Sequence, residues 1–153
     1  MPYVQTKKFI KLVYNSPMRH FNKESLDYKF IDKFEAGIAL TGSDVKSLRT
    51  QPVQFASSKV DFLGSQPILV GLTIPLYKFS QNQEIDTTHN RNLLLNEKEI
   101  AKLVSYRHQK YMIIPIAIFF KGRWAKVELG VGRKAKKYEK RALLKKREFE
   151  RGV

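Results

Sequence analysis

Tyr28-Lys29-Phe30-Ile31-Asp32-Lys33-Phe34-Glu35-Ala36-Gly37-Ile38-Ala39-Leu40 runs directly into Thr41-Gly42-Ser43-Asp44-Val45-Lys46-Ser47-Leu48-Arg49. In the first half, Tyr28, Phe30, Asp32 and Phe34 alternate with Lys29, Ile31, Lys33 and Glu35, the two-residue period of a strand. Ala36-Gly37 interrupts the pattern and Ile38-Ala39-Leu40 resumes it. A Gly inside a strand marks a bulge or a close approach to the backbone. The second half opens a helix. Thr41 or Ser43 can cap it, and Asp44 complements the positive end of its dipole. Val45 and Leu48 point one way, whereas Lys46 and Arg49, three apart, share another face. Gln51-Pro52 ends the helix.

Downstream, the runs Ser57 to Leu63 and Ile68 to Thr73 flank Gly64-Ser65-Gln66-Pro67 and predict a hairpin. Lys78 to Asn92 is polar and predicts no regular structure. Leu93-Leu94-Leu95 then leads into Asn96-Glu97-Lys98-Glu99, a capping box with Asn96 as N-cap and Glu99 at N3. Ile100, Leu103 and Val104 form the apolar stripe of that helix, which ends near His108. Tyr111 to Phe120 and Trp124 to Val131 flank Lys121-Gly122-Arg123, a second hairpin. In its latter strand, Ala125, Val127, Leu129 and Val131 make an apolar face, opposite a mixed face of Trp124, Lys126, Glu128 and Gly130. Upstream, Asn15-Ser16-Pro17 breaks the lead, which is expected to be largely irregular. About six strands and two or three helices, arranged as hairpins interrupted by single helices, predict a closed six-stranded antiparallel barrel filled by its own side chains. The expected division is a lead over 1–27, a β-barrel over 28–132 and a basic tail over 133–153.

The tail concentrates the charge. The chain has 153 residues and a formal net charge of +15. From Arg133 to Arg151 there are ten Lys or Arg against three Glu, which is +7 of that total, with no Gly or Pro. Tyr138, Leu143, Leu144 and Phe149 do not gather on one helical face, so the segment suits an arm rather than a core element. Such an arm is expected to be disordered alone and to fold along a polyanion. Concentrated basic charge predicts a nucleic-acid partner. There is no Cys, and the three His have no ligand spacing, so no disulfide, metal or cofactor is expected. No apolar run reaches the length of a membrane span, and the N-terminus lacks the apolar core of a signal peptide. The expectation is a cytoplasmic monomer without a membrane or DNA partner.

No catalytic pattern accompanies the charge. There is no G-x-S-x-G, H-E-x-x-H or P-loop, and Glu35, Asp44, Asp61 and Asp86 are scattered as solvated charges and caps would be. An enzyme is not expected. Lys46 and Arg49 suit phosphate oxygens beside a Gly-interrupted strand. Tyr28, Phe30, Phe34 and Trp124 could stack on unpaired bases if exposed, although most strand aromatics belong to a core.

Phe34-Glu35-Ala36-Gly37-Ile38-Ala39-Leu40-Thr41-Gly42-Ser43-Asp44-Val45-Lys46-Ser47-Leu48-Arg49 resembles the signature of the small protein B family, bacterial partners of transfer-messenger RNA. Arg91 to Ile100 resembles a second family stretch. Lys121 to Gly130, followed by Lys137-Tyr138-Glu139-Lys140-Arg141, resembles its last strand and tail. The resemblance covers about residues 22 to 150. It implies an oligonucleotide-binding-type barrel that holds the tRNA-like domain of transfer-messenger RNA and delivers it to stalled ribosomes. The tail would enter the empty messenger channel and fold as a helix along small-subunit RNA near the decoding centre.

Carried over to these positions, the resemblance implies that Glu35 and Gly37 contact the tRNA-like domain and that Lys46 and Arg49 hold phosphate. Leu93 belongs to a supporting stretch, and the family's early Asn is Asn22 or Asn15. On the ribosome side it implies Lys136, Lys137, Tyr138, Lys140, Arg141, Lys145, Lys146 and Arg147, with Tyr138 stacking on a base. Asp44 stands where the family has Glu, one methylene longer. The family's Gly-Lys-Lys before the tail aromatic is Lys134-Ala135-Lys136 here, which leaves Gly132 as the hinge to the arm.

Overall fold

The computed structural model describes residues 19–79 and 86–150, without the side chains of 137–140, 143 and 150. The lead up to residue 18, Asn15 included, residues 80–85 of the polar connection and 151–153 lie outside the described residues. The described residues form seven strands: β1 (His20–Phe21), β2 (Tyr28–Ile38), β3 (Lys59–Leu63), β4 (Gln66–Val70), β5 (Arg91–Leu94), β6 (Met112–Lys121) and β7 (Trp124–Lys134). Three α-helices accompany them: α1 (Gly42–Thr50), α2 (Glu97–His108) and α3 (Lys137–Glu150). A 3-10 turn, Lys23–Asp27, joins β1 to β2.

Both predicted helix starts are present as capping boxes. Thr41 accepts from the Asp44 N–H, Asn96 accepts from the Glu99 N–H, and each carboxylate returns to its cap. Leu48 of α1 and Leu103 of α2 are fully buried. Each contributes on the order of 1.5–3 kcal/mol by leaving water. They join Phe34, Ala36, Leu69, Leu93, Ile118, Val127, Leu129 and Val131 in one core.

The sheet is antiparallel with the order β1-β6-β7-β2-β5-β4-β3. The closed six-stranded barrel expected from the sequence is therefore not the observed architecture. β3, at one edge, lies against β6 near the other edge. Among the described residues, no ladder joins these two strands, so the sheet curls without closing. Three local events change the strand count. β2 passes through Ala36-Gly37 unbroken, because Gly37 pairs with Lys126 of β7 on one side and Leu94 of β5 on the other. Its irregularity falls instead between Phe30 and Asp32, which leaves Ile31 exposed. Arg91–Leu94 is a strand rather than an approach to α2, and the short β1 adds to the edge of β6.

The pairing of β6 with β7 shifts between Pro115 and Ala117. Pro115 has no N–H to give to a ladder, which suits it to a bulge. The carbonyls freed there receive Asn22: its backbone N–H donates to Ile116 O at 2.8 Å and its Nδ2 to Pro115 O at 2.8 Å. Asn22 Oδ1 accepts from the Glu24 N–H at 3.1 Å and starts the 3-10 turn.

β7 continues past Val131, and Arg133 and Lys134 pair with Lys29 and Tyr28. Gly132 is thus inside the sheet rather than at a hinge. A Cβ there would lie 2.1 Å from Lys29 O, so only Gly lets the two strands approach. The break between sheet and arm is Ala135-Lys136, where the Ala135 N–H donates to Asp27 O at 2.8 Å.

Candidate nucleic-acid interface

The mixed face of β7 continues across its neighbours. Glu35 and Gly37 of β2 lie opposite Glu128 and Lys126 of β7. Leu94 of β5 lies opposite Gly37 and Phe119 of β6 opposite Lys126. Gly37 explains how β5 comes so close: a Cβ there would lie 3.2 Å from Leu94 Cβ. Leu94 therefore leans over bare backbone and stays 63% exposed. Glu35 is exposed and receives Lys121 Nζ at 3.4 Å. Such an exposed ion pair is worth at most about 1 kcal/mol, so both partners can exchange it for another contact. At the hairpin tip the Trp124 ring is 69% exposed beside Arg123. A groove of about 340 Å³ runs from Gly37 and Leu94 past Val45 and Phe120 to Arg123, Trp124 and Lys126.

This arrangement sorts the sequence-predicted residues. Of the four candidate stacking rings, Phe34 is in the core. Tyr28 and Phe30 are half-buried and stack on each other at 6.1 Å. Trp124 alone of the four is open. Leu93 is buried and supports the face from below, whereas Leu94 reaches the surface. Asn22 is buried with its side chain committed to the bulge and the 3-10 turn.

Lys46 and Arg49 are both exposed on α1, but they do not work as a pair. Arg49 lies over the Phe120 ring at 5.2 Å, on the side of the groove, while Lys46 lies over Tyr77 at 5.6 Å. Leu94, Arg123 and Lys126 were not singled out as site residues from the sequence. The mixed period of β7 was a signal for Lys126, whereas Leu94 could be found only once β5 was known to be a strand.

Asp44 is directed inward and does not belong to the exposed face. It is buried against Arg91, whose Nε and Nη2 donate to its two oxygens at 3.3 and 3.4 Å. The remaining Arg91 donors go to the carbonyls of Leu72, Thr87 and His89 at 2.8, 3.0 and 3.1 Å. All five guanidinium N–H groups are thereby used, which is the condition for holding a cation that is 1% exposed. The shorter carboxylate in place of Glu thus has a partner, and the pair ties α1 to the strand that carries Leu94.

The arm supplies a second basic surface. Lys136, Arg141, Lys145 and Lys146 are exposed, and Arg147 is half-buried with Nη1 donating to Leu26 O at 3.2 Å. The side chains of Lys137, Tyr138 and Lys140 lie outside the described residues. Among the described residues, no group of His, Asp or Glu could hold a metal ion, and no helix is long and apolar enough to cross a membrane.

Comparison with known proteins gives one family. A model described as SmpB protein matches residues 19–153. The SsrA-binding protein of Elusimicrobium minutum is 38% identical over 126 residues, covering 82% of this chain and 80% of that protein. The SsrA-binding protein of Lactobacillus delbrueckii subsp. bulgaricus is 38% identical over 141 residues, covering 92% of this chain and 88% of that protein. A chain from a solved structure concerning tmRNA-SmpB and the bacterial ribosome superposes with a TM-score of 0.67 at 36% identity, covering 79% of this chain and 87% of that one. The chain belongs to the SmpB protein family.

Proposed function

We propose that this protein binds transfer-messenger RNA and acts with it on stalled ribosomes in trans-translation, as a non-catalytic RNA-binding factor of the cytoplasm. The observation that carries this reading is the family match over 19–153, which spans both the exposed face and the arm. In this reading the tRNA-like domain rests on the surface of Glu35, Gly37, Leu94, Trp124 and Lys126. Arg49 and Lys46 hold phosphate, while Asn22 and Leu93 fix the strands beneath. Backbone contacts position the RNA, and an open ring such as Trp124 adds stacking on an unpaired base. The segment 133–153 is the second working part. Arg133 and Lys134 stay in the sheet, while the helix beyond them, marginal in water, lies along small-subunit RNA in the empty messenger channel and engages phosphates through Lys136, Lys137, Lys140, Arg141, Lys145, Lys146 and Arg147. Tyr138 stacks near the decoding centre.

A competition assay on one salt series tests the reading. The tRNA-like domain should outcompete an elongator tRNA and a duplex RNA by tenfold or more, about 1.4 kcal/mol of recognition beyond counterion release. Equal affinities that fade together with salt would leave a general RNA-binding protein. Removing residues 138–153 should preserve binding to the tRNA-like domain and abolish tagging on stalled ribosomes. Loss of binding instead would make the arm an anchor rather than a probe.

A further inference from the structure

α1 separates two surfaces, and the one on the Lys46 side enters the function described so far only through Lys46. A groove of about 460 Å³ lies there, lined by Thr50, Gln51, Leu76, Tyr77, Lys78 and Phe79, with no carboxylate among them. Its two rings meet edge to face, with centroids 5.6 Å apart and planes at 69°. That geometry leaves a ring face open, and Phe79 is 72% exposed. Two ammonium groups attend the rings: Lys46 Nζ lies 5.6 Å from the Tyr77 centroid and Lys78 Nζ 5.7 Å from that of Phe79. The base of the segment is fixed. Gln51 Nε2 donates to Leu76 O at 3.3 Å. Thr73 exchanges two 3.0 Å backbone hydrogen bonds with Gln54, and Ile74 is in the core.

Among the described residues, this exposed hydrophobic ring on an anchored base is flanked by cations alone, a setting badly matched to a basic partner. A flat, π-faced ligand that carries its own negative charge answers both features, and an unpaired nucleotide is such a ligand. We propose that Tyr77 and Phe79, with Lys46 and Lys78, form a stacking platform for single-stranded RNA, separate from the Trp124 face across α1. The inference rests on the reading of this chain as an RNA-binding protein. It adds that the bound RNA reaches both sides of α1, with an unpaired segment on the Lys46 side. Lys46 and Arg49 then serve different parts of one RNA, which accounts for their divergence from a single helix.

The test uses the full chain and the variants Phe79→Ala, Phe79→Tyr and Lys78→Ala. Each is titrated at fixed salt with a short polyadenylate oligomer, with a duplex RNA of equal length and with the tRNA-like domain. Phe79→Ala should weaken polyadenylate binding roughly five- to a hundredfold, the range for loss of one stacked base, and leave duplex binding within about twofold. Phe79→Tyr should restore it, and Lys78→Ala should reduce the salt slope by about one. Phe79 is exposed, so an unchanged melting curve will exclude a folding defect. Unaltered polyadenylate binding by Phe79→Ala, or equal losses on single strand and duplex, would overturn the platform. Capture of a protein in place of RNA by this surface would do the same. Preference for the tRNA-like domain over elongator tRNA is measured separately, so its failure would reject the rescue function without touching the Phe79 result.

Discussion

The sheet and the C-terminal helix are built on different energetics. β2 and β7, 11 residues each, pair along nearly their whole length, and their inner side chains are in the core. α3 has 14 residues, and of its described side chains only Leu144 and Arg147 are half-buried. Among the described residues, its tertiary ties include Arg147 to Leu26 O, the entry hydrogen bond from Ala135 to Asp27 O, and packing against the 3-10 turn. Phe149 is exposed. The sheet is therefore held by burial, whereas α3 relies on the local preferences of Ala, Leu, Lys, Arg and Glu. A helix of that length is marginal in water, and Arg141 and Lys145 repel one another at i,i+4. Phosphates placed along α3 would relieve that repulsion, so its stability depends on what it lies against and that of the sheet does not.

The contrast can be broken most severely from inside the body. Arg91→Ala should destabilise the protein by about 3 kcal/mol, because buried Asp44 would keep only the Thr41 N–H at 3.4 Å and His89 Nε2 at 3.6 Å, and three carbonyls would lose their donor. A urea denaturation series reads this, and a loss below about 1 kcal/mol would show that water replaces the guanidinium. Gly132→Ala comes next. A methyl group facing Lys29 O must force β2 and β7 apart, at a cost of about 1–3 kcal/mol, visible as a lower melting temperature and faster amide exchange at Phe30 and Asp32.

The arm should respond the opposite way. Ala142→Pro costs the helix about 3 kcal/mol and should erase the helical circular-dichroism signal of α3 while changing the unfolding free energy of the body in urea by less than about 0.5 kcal/mol. A coupled loss would mean that the arm is part of the core fold. The finest probe is Arg147→Ala, which removes one half-buried hydrogen bond worth about 0.5–1.5 kcal/mol. Amide exchange in α3 should accelerate modestly, with no change in β2. If α3 exchanges as before, its tie to Leu26 contributes nothing to its position.

Much of the fold was legible because the deciding forces are local. Thr41 and Asn96 cap helices through side chains three residues from their partners. Gly122 and Gly64 stand in the turns of two hairpins, and the alternation of β7 needs only its own residues. What failed was read from the same local cues but decided elsewhere. Gly37 looked like an interruption, and only its two neighbouring strands made it a place of continuity. Arg91 looked like part of a polar connection, yet it is a buried cation, because Asp44 and three carbonyls converge on it from other elements.

The candidate site divides in the same way. The basic residues of 133–151 and the signature around Glu35 and Gly37 were evident from residue type alone, since charge and the lack of a side chain are properties of the residue itself. Which ring is open and which Leu reaches the surface were not evident. Trp124 and Phe34 are both strand aromatics, and Leu93 and Leu94 are identical in chemistry. Exposure separates them, and exposure is fixed by the face each residue takes in the assembled sheet. The sequence by itself thus determined two helix starts with their caps, two hairpins, the basic arm and the family. Only the tertiary structure decided that the sheet stays open, that Lys46 and Arg49 part company and which groups remain at the surface, because burial depends on partners distant in the chain.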